Sequence, residues 1–189
     1  HQYDGGLQSS LDGSQVAFVL GAGLSEVDSR AWSIVYLRDS FDVPSVVESL
    51  ALPAMLVAMA AWRLVADRFI DRFGPVGVAR TLSSVAIAGM ALTVLAPNAY
   101  IALFGFLAVG IGICVLYPLM LSAAARLGDR PASQNVAATT LIFQLVNLGA
   151  PALIGAVAQG VGVRLAFAML IPLLILTFTM AGRLQLKPV

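Results

Sequence analysis

The sequence predicts an all-α membrane protein, a bundle of six transmembrane helices. Three observations lead to this fold class: long apolar stretches, a hydrophobic composition and an uneven distribution of positive charge. The chain of 189 residues is 59% hydrophobic and 11% charged, with a mean hydropathy of +0.91. These values depart from those of soluble globular domains in the direction of membrane proteins.

Six apolar stretches fill almost the whole chain, and each is near the roughly 20 residues that a helix needs to cross hydrocarbon. The predicted spans cover residues 16–37, 46–66, 76–96, 99–123, 135–159 and 163–182. We therefore expect a bundle over residues 16–184. A polar linker or cloning remnant at residues 1–15 would precede it, and a cytoplasmic tail at residues 185–189 would follow it.

Prolines and glycines predict how the spans are shaped and joined. Kinked helices are expected because Pro53, Pro118, Pro151 and Pro172 lie within spans, where neighbouring helices re-satisfy the freed carbonyl groups. Short connections predict antiparallel neighbours. The segment FGPVGVAR after the second span is similar to QGVGVRLA after the fifth, which suggests two three-helix repeats of inverted topology.

Positive charge distinguishes the two ends of the predicted spans. If the chain crosses the membrane at every span, Arg38 and Arg164 share one face and Arg30 lies inside the first span. The other eight of the eleven basic residues share the opposite face: Arg63, Arg68, Arg72, Arg80, Arg126, Arg130, Arg183 and Lys187. Cytoplasmic loops carry an excess of Lys and Arg, so the Arg68–Arg72 segment and the C-terminus are expected in the cytoplasm.

The scarcity of reactive side chains argues against several functions. His1 is the one histidine, Cys114 the one cysteine and Lys187 the one lysine. Zinc sites, disulfides, protease-type nucleophiles and lysine-bearing phosphate loops are therefore not expected. We expect no enzymatic activity, no cofactor, no metal and no nucleic-acid partner. The expected partners are the lipid bilayer and a small-molecule solute.

The middle of the first span carries three ionisable residues, Glu26, Asp28 and Arg30. Such groups cost about 3 kcal/mol each on insertion scales, so they should face the bundle interior or a water-filled cavity. Glu26 and Arg30 stand four residues apart and are expected to pair, whereas Asp28 lies about 200° around the helix axis. A role in substrate binding or coupling and a purely structural ion pair both stay open.

Other polar candidates lie in later spans. Thr140, Gln144 and Asn147 recur at i, i+4 and i+7, so they share one face of the fifth span, where they can bind a solute or a neighbouring helix. Tyr117 is expected to line a cavity at the Pro118 kink or to pack in the core.

The segment after the second span repeats an acid–base pair, with Asp67-Arg68 and Asp71-Arg72 followed by Gly74-Pro75. We predict a cytoplasmic loop in which the repeated pairs lie on one face and bridge helix termini. The alternative is that these arginines only follow the positive-inside rule.

Four segments together resemble the C-terminal half of a major facilitator superfamily transporter, its seventh to twelfth helices, over nearly the whole chain. They read WSIVYLRD, DRFIDRFGP, GIGICVLYPLMLSAAAR and LGAPALIGAVAQ, and are similar to bacterial sugar and drug-efflux members. The resemblance implies half of a secondary transporter in the bacterial inner membrane, which works by alternating access with an N-terminal six-helix half and is driven by a proton gradient or by an opposing substrate gradient. A gating role is implied for Asp67, Arg68, Asp71, Arg72 and Gly74. A six-span channel and a structural membrane subunit without transport are the alternatives.

Overall fold

The computed structural model describes residues 13–126 and 131–182. All regular structure in these ranges is α-helical, which confirms the predicted fold class. The helices are α1 (Gly13–Ser40), α2 (Ser45–Phe73), α3 (Pro75–Leu95), α4 (Ala99–Ala125), α5 (Ala132–Val161) and α6 (Val163–Ala181). The predicted tail and most of the predicted linker lie outside the described residues, as do Arg130, Arg183 and Lys187.

Three of the six helices are interrupted once. The interruptions separate Ser45–Ser49 from Ala51–Phe73 in α2, Ala99–Ile113 from Leu116–Ala125 in α4, and Val163–Ala168 from Leu170–Ala181 in α6. A proline follows each interruption at the same distance: Pro53 after Leu50, Pro118 after Val115 and Pro172 after Met169. Proline has no backbone N–H for the carbonyl four residues earlier, and its ring clashes with that carbonyl, which explains the breaks.

Five of the six helices, α2 to α6, are long and apolar enough to cross a membrane. The remaining helix, α1, has 28 residues, and its middle carries the charged residues Glu26, Asp28 and Arg30. It packs mainly on α5 and α6 and also contacts α4. Glu26 and Asp28 are buried between these helices, whereas Arg30 is exposed.

The tightest helix pair is α3 with α4, where small residues let the two backbones approach. A Cβ atom at Gly89 would lie 2.7 Å from the backbone nitrogen of Val109, and one at Gly105 would clash with the Thr93 hydroxyl. Side chains larger than glycine would therefore separate the two helices. Close packing of this kind is how helices associate in membranes, where lipid is as apolar as the protein.

Single glycines join α2 to α3 and α5 to α6. Gly74 has φ 75° and ψ 157°, and Gly162 has φ 88° and ψ 154°, a region that favours glycine. The two glycine N–H groups donate to Ile70 and Ala158 carbonyls, both at 2.9 Å. The same backbone corner thus recurs at the corresponding place in each three-helix unit, as the sequence likeness suggested.

The helix α2 continues seven residues beyond its predicted end at residue 66 and stops at Phe73. Asp67, Arg68, Asp71 and Arg72 therefore lie in the last two turns of a helix, and their predicted placement in a loop is wrong. The reason is local: Asp and Arg are tolerated in a helix, and the first residues that end it are Gly74 and Pro75.

Candidate functional site

An ion pair lies in the middle of α1. Arg30 Nη1 is 3.5 Å from Glu26 Oε1, and the two side chains are 49% and 9% exposed, respectively. The carboxylate thus points into the bundle while the guanidinium reaches its surface. The spacing of four residues predicted this contact, since such residues are neighbours on one helix face.

A second arginine, Arg63 of α2, reaches the same region. Its Nε–H donates a 2.9 Å hydrogen bond to the carbonyl of Cys114, in the interruption of α4. This carbonyl is the one that Pro118, four residues later, leaves without a helical donor. The Arg63 guanidinium also acts electrostatically on the Glu26 carboxylate. Arg63 therefore completes the hydrogen bonding of the α4 kink and adds a second positive charge in the region of Glu26.

The sequence predicts Arg63 at the cytoplasmic junction, and this placement stays a prediction. The residue lies ten positions before the end of α2 at Phe73, which is about 15 Å along the helix. The absence of glycine or proline between Arg63 and Gly74 is the sequence signal that α2 continues beyond Arg63.

Asp28 is separate from this cluster. It is 1% exposed, and its Oδ1 has no hydrogen-bond partner among the described residues. It lies seven residues after Gly21, where an added Cβ would contact Leu173 of α6, so Asp28 is on the α6 side of α1. The structure therefore keeps Asp28 apart from Glu26, in agreement with the predicted angle between them.

A cleft of about 330 Å³ opens between α1, α2 and α5. Arg30 and Asn147 are the polar residues that line it, and Phe143 supplies an aromatic wall. Asn147 Nδ2 donates to Gln144 Oε1 at 3.4 Å, and both side chains are exposed. Of the predicted polar stripe on α5, the structure thus brings Asn147 to the charged cluster and places Gln144 beside it.

Tyr117 packs against Phe143, which lines this cleft. Its ring centroid is 4.3 Å from that of Phe143, which links α4 just before Pro118 to α5. On the other side of Phe143, an added Cβ at Gly23 would lie 3.2 Å from its ring. Phe143 is therefore held between α1 and α4, and Tyr117 supports the cleft without lining it.

Trp32, two residues after Arg30, fixes α1 to α5. Its indole N–H donates to the Pro151 carbonyl at 3.1 Å, and a Cβ at Gly155 would lie 2.8 Å from the indole ring. The glycine therefore makes room for the tryptophan. This contact positions Arg30 relative to Asn147.

The repeated acid–base segment at the end of α2 is exposed. Among the described residues, the ion pairs are Glu26–Arg30 and Arg38–Glu48, so none joins Asp67 or Asp71 to an arginine. The Arg72 guanidinium lies 5.4 Å from the centroid of the Phe73 ring. The acid–base bridges that the sequence predicted for this segment are therefore not formed among residues 13–126 and 131–182.

Two relatives with similar sequences are named as transporters and a third as a membrane protein. The chain is 32% identical over 149 residues to an uncharacterized transporter of Sinorhizobium fredii, 28% identical over 160 residues to an uncharacterized MFS-type transporter of Yersinia pestis, and 29% identical over 140 residues to membrane protein MosC of Rhizobium meliloti. These matches cover 74–85% of the chain but 34–41% of the relatives. The chain thus spans about 40% of their length. No family model matches it.

Solved structures share the fold. The Escherichia coli fucose:proton symporter FucP superposes with a TM-score of 0.80 over 92% of this chain and 42% of the symporter, at 13% identity. A peptide transporter, POT, superposes with a TM-score of 0.74 over 90% of this chain and 36% of the transporter, also at 13% identity. By sequence and by fold, this integral membrane protein matches one six-helix half of a major facilitator superfamily transporter.

Proposed function

We propose that the chain is the C-terminal half of a secondary active transporter that moves a small solute by alternating access. Its partner is an N-terminal six-helix half, for which the length of the relatives leaves room. We place the protein in a bacterial inner membrane, with the Arg68–Arg72 segment and the C-terminus in the cytoplasm. The charge pattern supports that orientation.

The observation that carries the proposal is the cluster of Glu26, Arg30 and Arg63 beside the interruption of α4. Ionisable side chains inside membrane spans are costly, and in transporters they mark solute and ion pathways. Binding sites of secondary transporters typically lie near the bilayer midplane where helices are discontinuous. The position of the cluster beside the interruption of α4 supports the proposal.

We further propose that Glu26 is the proton-coupling residue. The groups that face it are Arg30 on its own helix, Arg63 on α2 and Cys114 on α4. Helix α5 has no ionisable residue, and the one such residue of α6, Arg164, donates instead to the Ala96 carbonyl. A proton on Glu26 removes its attraction for both arginines and so weakens the contacts between α1 and α2.

The test uses the full-length protein that contains these six helices, reconstituted in vesicles with an imposed pH gradient. A labelled metabolite panel identifies a solute, and Glu26→Gln is then compared with the wild type. We expect Glu26→Gln to lose gradient-driven accumulation while solute exchange across the membrane continues. Glu48→Gln is the matched control because Glu48 pairs with Arg38 outside the cluster, at 3.2 Å.

The outcomes separate the two parts of the proposal. Accumulation by Glu26→Gln with unchanged pH dependence would contradict the coupling role and leave the transporter proposal standing. Flux that neither saturates nor shows counterflow would indicate a channel. The absence of flux for every solute of the panel would favour a structural membrane subunit.

A further inference from the structure

The charges around the cleft do not balance. Glu26 contributes one negative charge, whereas Arg30 and Arg63 contribute two positive charges. Asp28 lies on the α6 side of α1, so it does not complete the balance. An uncompensated charge within a membrane span costs several kcal/mol, so the cluster favours an additional anion.

Arg30 is the side chain that can receive such an anion. A guanidinium has five N–H donors, and the described partner of Arg30 is a single Glu26 oxygen at the long distance of 3.5 Å. The side chain is about half exposed, and it is the one charged residue among those that line the cleft. Its remaining donors are therefore available to a ligand.

The other residues that line the cleft indicate the chemistry of the rest of the ligand. Asn147 adds a carboxamide, and Phe143, Leu52 and Leu56 add aromatic and aliphatic surface. A fixed guanidinium fork matches a carboxylate in two parallel hydrogen bonds, which a lysine cannot reproduce. Polar groups at one end and apolar walls at the other fit an amphipathic molecule.

We infer that the solute is a small organic acid that binds as its carboxylate to Arg30, with its apolar part against Phe143 and the leucines of α2. This inference rests on the proposed transporter function and names its substrate class. The bound carboxylate brings the charge of the cluster from +1 to zero. Arg63 remains bonded to the Cys114 carbonyl, so the kink of α4 keeps its hydrogen bond.

The experiment measures thermal unfolding of the purified full-length transporter with matched pairs of acids and their neutral amides. The probes are benzoate with benzamide, phenylacetate with phenylacetamide, and 3-phenylpropionate with 3-phenylpropionamide. We expect at least one acid to raise the Tm, because ligands that bind the folded state stabilise it, and its amide to leave the Tm unchanged. Arg30→Gln should weaken the apparent Kd of that acid about 10- to 100-fold, the usual loss for a hydrogen bond from a charged donor.

Two further variants keep the test decisive. Arg30→Lys retains the charge, so it should bind the acid more tightly than Arg30→Gln does, even if either variant lowers the basal Tm. Arg38→Gln is the matched control, since Arg38 is an exposed arginine of the same helix that lies outside the cleft. Its acid binding should equal that of the wild type.

Equal stabilisation by an acid and its amide, no stabilisation by any acid, or full acid binding by Arg30→Gln would each overturn the inference. Transport measured in vesicles then separates a failure of this substrate-class inference from a failure of the proposed transporter function. If the protein moves neutral solutes only, the substrate class is wrong and the transporter proposal stands. If the stabilising acid binds through Arg30 but is not moved, the anion site stands and the transporter proposal fails.

Discussion

Replacing Arg63 with methionine should destabilise the bundle, and restoring a backbone N–H at position 118 should remove much of that loss. In the wild type, the Cys114 carbonyl accepts from Arg63 Nε at 2.9 Å because Pro118 cannot donate to it. Methionine is similar in length to arginine and has no donor. In Pro118→Ala, the alanine N–H can donate to the Cys114 carbonyl, so this carbonyl no longer needs Arg63 as its donor.

The magnitude follows from the carbonyl that loses its partner. A buried polar group without a hydrogen bond costs about 1–3 kcal/mol, and a bond from a charged donor is worth about 1.5–3 kcal/mol. We expect Arg63→Met to cost about 2 kcal/mol, a factor of about 30 in the folding equilibrium. Removing a charge from the span also changes the insertion energy. That term is equal in both backgrounds, so it cancels in a double-mutant cycle.

The assay is equilibrium unfolding of the full-length transporter by a denaturing detergent in mixed micelles. Four proteins are compared: the wild type, Arg63→Met, Pro118→Ala and the double variant. We expect a coupling energy of about 1–2 kcal/mol. Arg68→Met serves as the control because Arg68 is exposed near the end of the same helix, and its coupling to Pro118→Ala should be near zero.

Another variant separates the hydrogen bond of Arg63 from its charge. In Arg63→Gln, the amide nitrogen occupies the place of Nε, so the bond to Cys114 can persist while the charge beside Glu26 is lost. Stability should then stay close to that of the wild type. If Arg63→Met costs the same free energy with and without Pro118, the link between the proline and the arginine is refuted.

Further expectations concern single sites. Gly74→Ala and Gly162→Ala should each lower the free energy of unfolding by roughly 1–3 kcal/mol, because the φ and ψ angles at these positions suit glycine alone. The control is Gly160→Ala, because a Cβ added there meets nothing within 4 Å, and equal effects at all three positions would contradict this account. Asp28→Asn should maintain or raise the Tm, since it removes a buried carboxyl charge without a hydrogen-bond partner on Oδ1; a fall in Tm would show that the charge has a stabilising partner. Asp71→Asn should slow transport more than it weakens solute binding if the end of α2 gates the cytoplasmic side, and equal loss of both would argue against gating. An impermeant maleimide added to intact cells should label a cysteine at position 98 and not one at position 71, and the opposite pattern would invert the orientation.

Much of the fold follows from the sequence because membrane helices are determined locally. Their length, their apolar content and the prolines that interrupt them can all be read without tertiary contacts. The pair of Glu26 and Arg30 could also be predicted, since residues four apart meet on one helix.

The rest of the site depends on contacts between distant segments. Arg63 and Cys114 are 51 residues apart, and only packing of α2 against α4 places a guanidinium beside the carbonyl that Pro118 leaves free. The same holds for Phe143, which reaches the cleft because Gly23 and Tyr117 hold it from two helices. The end of α2 is hard to predict for another reason: charged residues are typical of loops, but they can also extend a helix beyond the hydrocarbon.

The single-glycine corners at Gly74 and Gly162 restrict how this chain can change in length. Each added residue would turn the following helix by about 100° and advance it by about 1.5 Å, which moves its packed face away from its neighbours. A connection of one residue cannot compensate for this rotation and translation by changing its own conformation. Insertions and deletions should therefore be excluded at these two corners, whereas the four residues at 41–44 between α1 and α2 can accept an epitope tag or a labelling site.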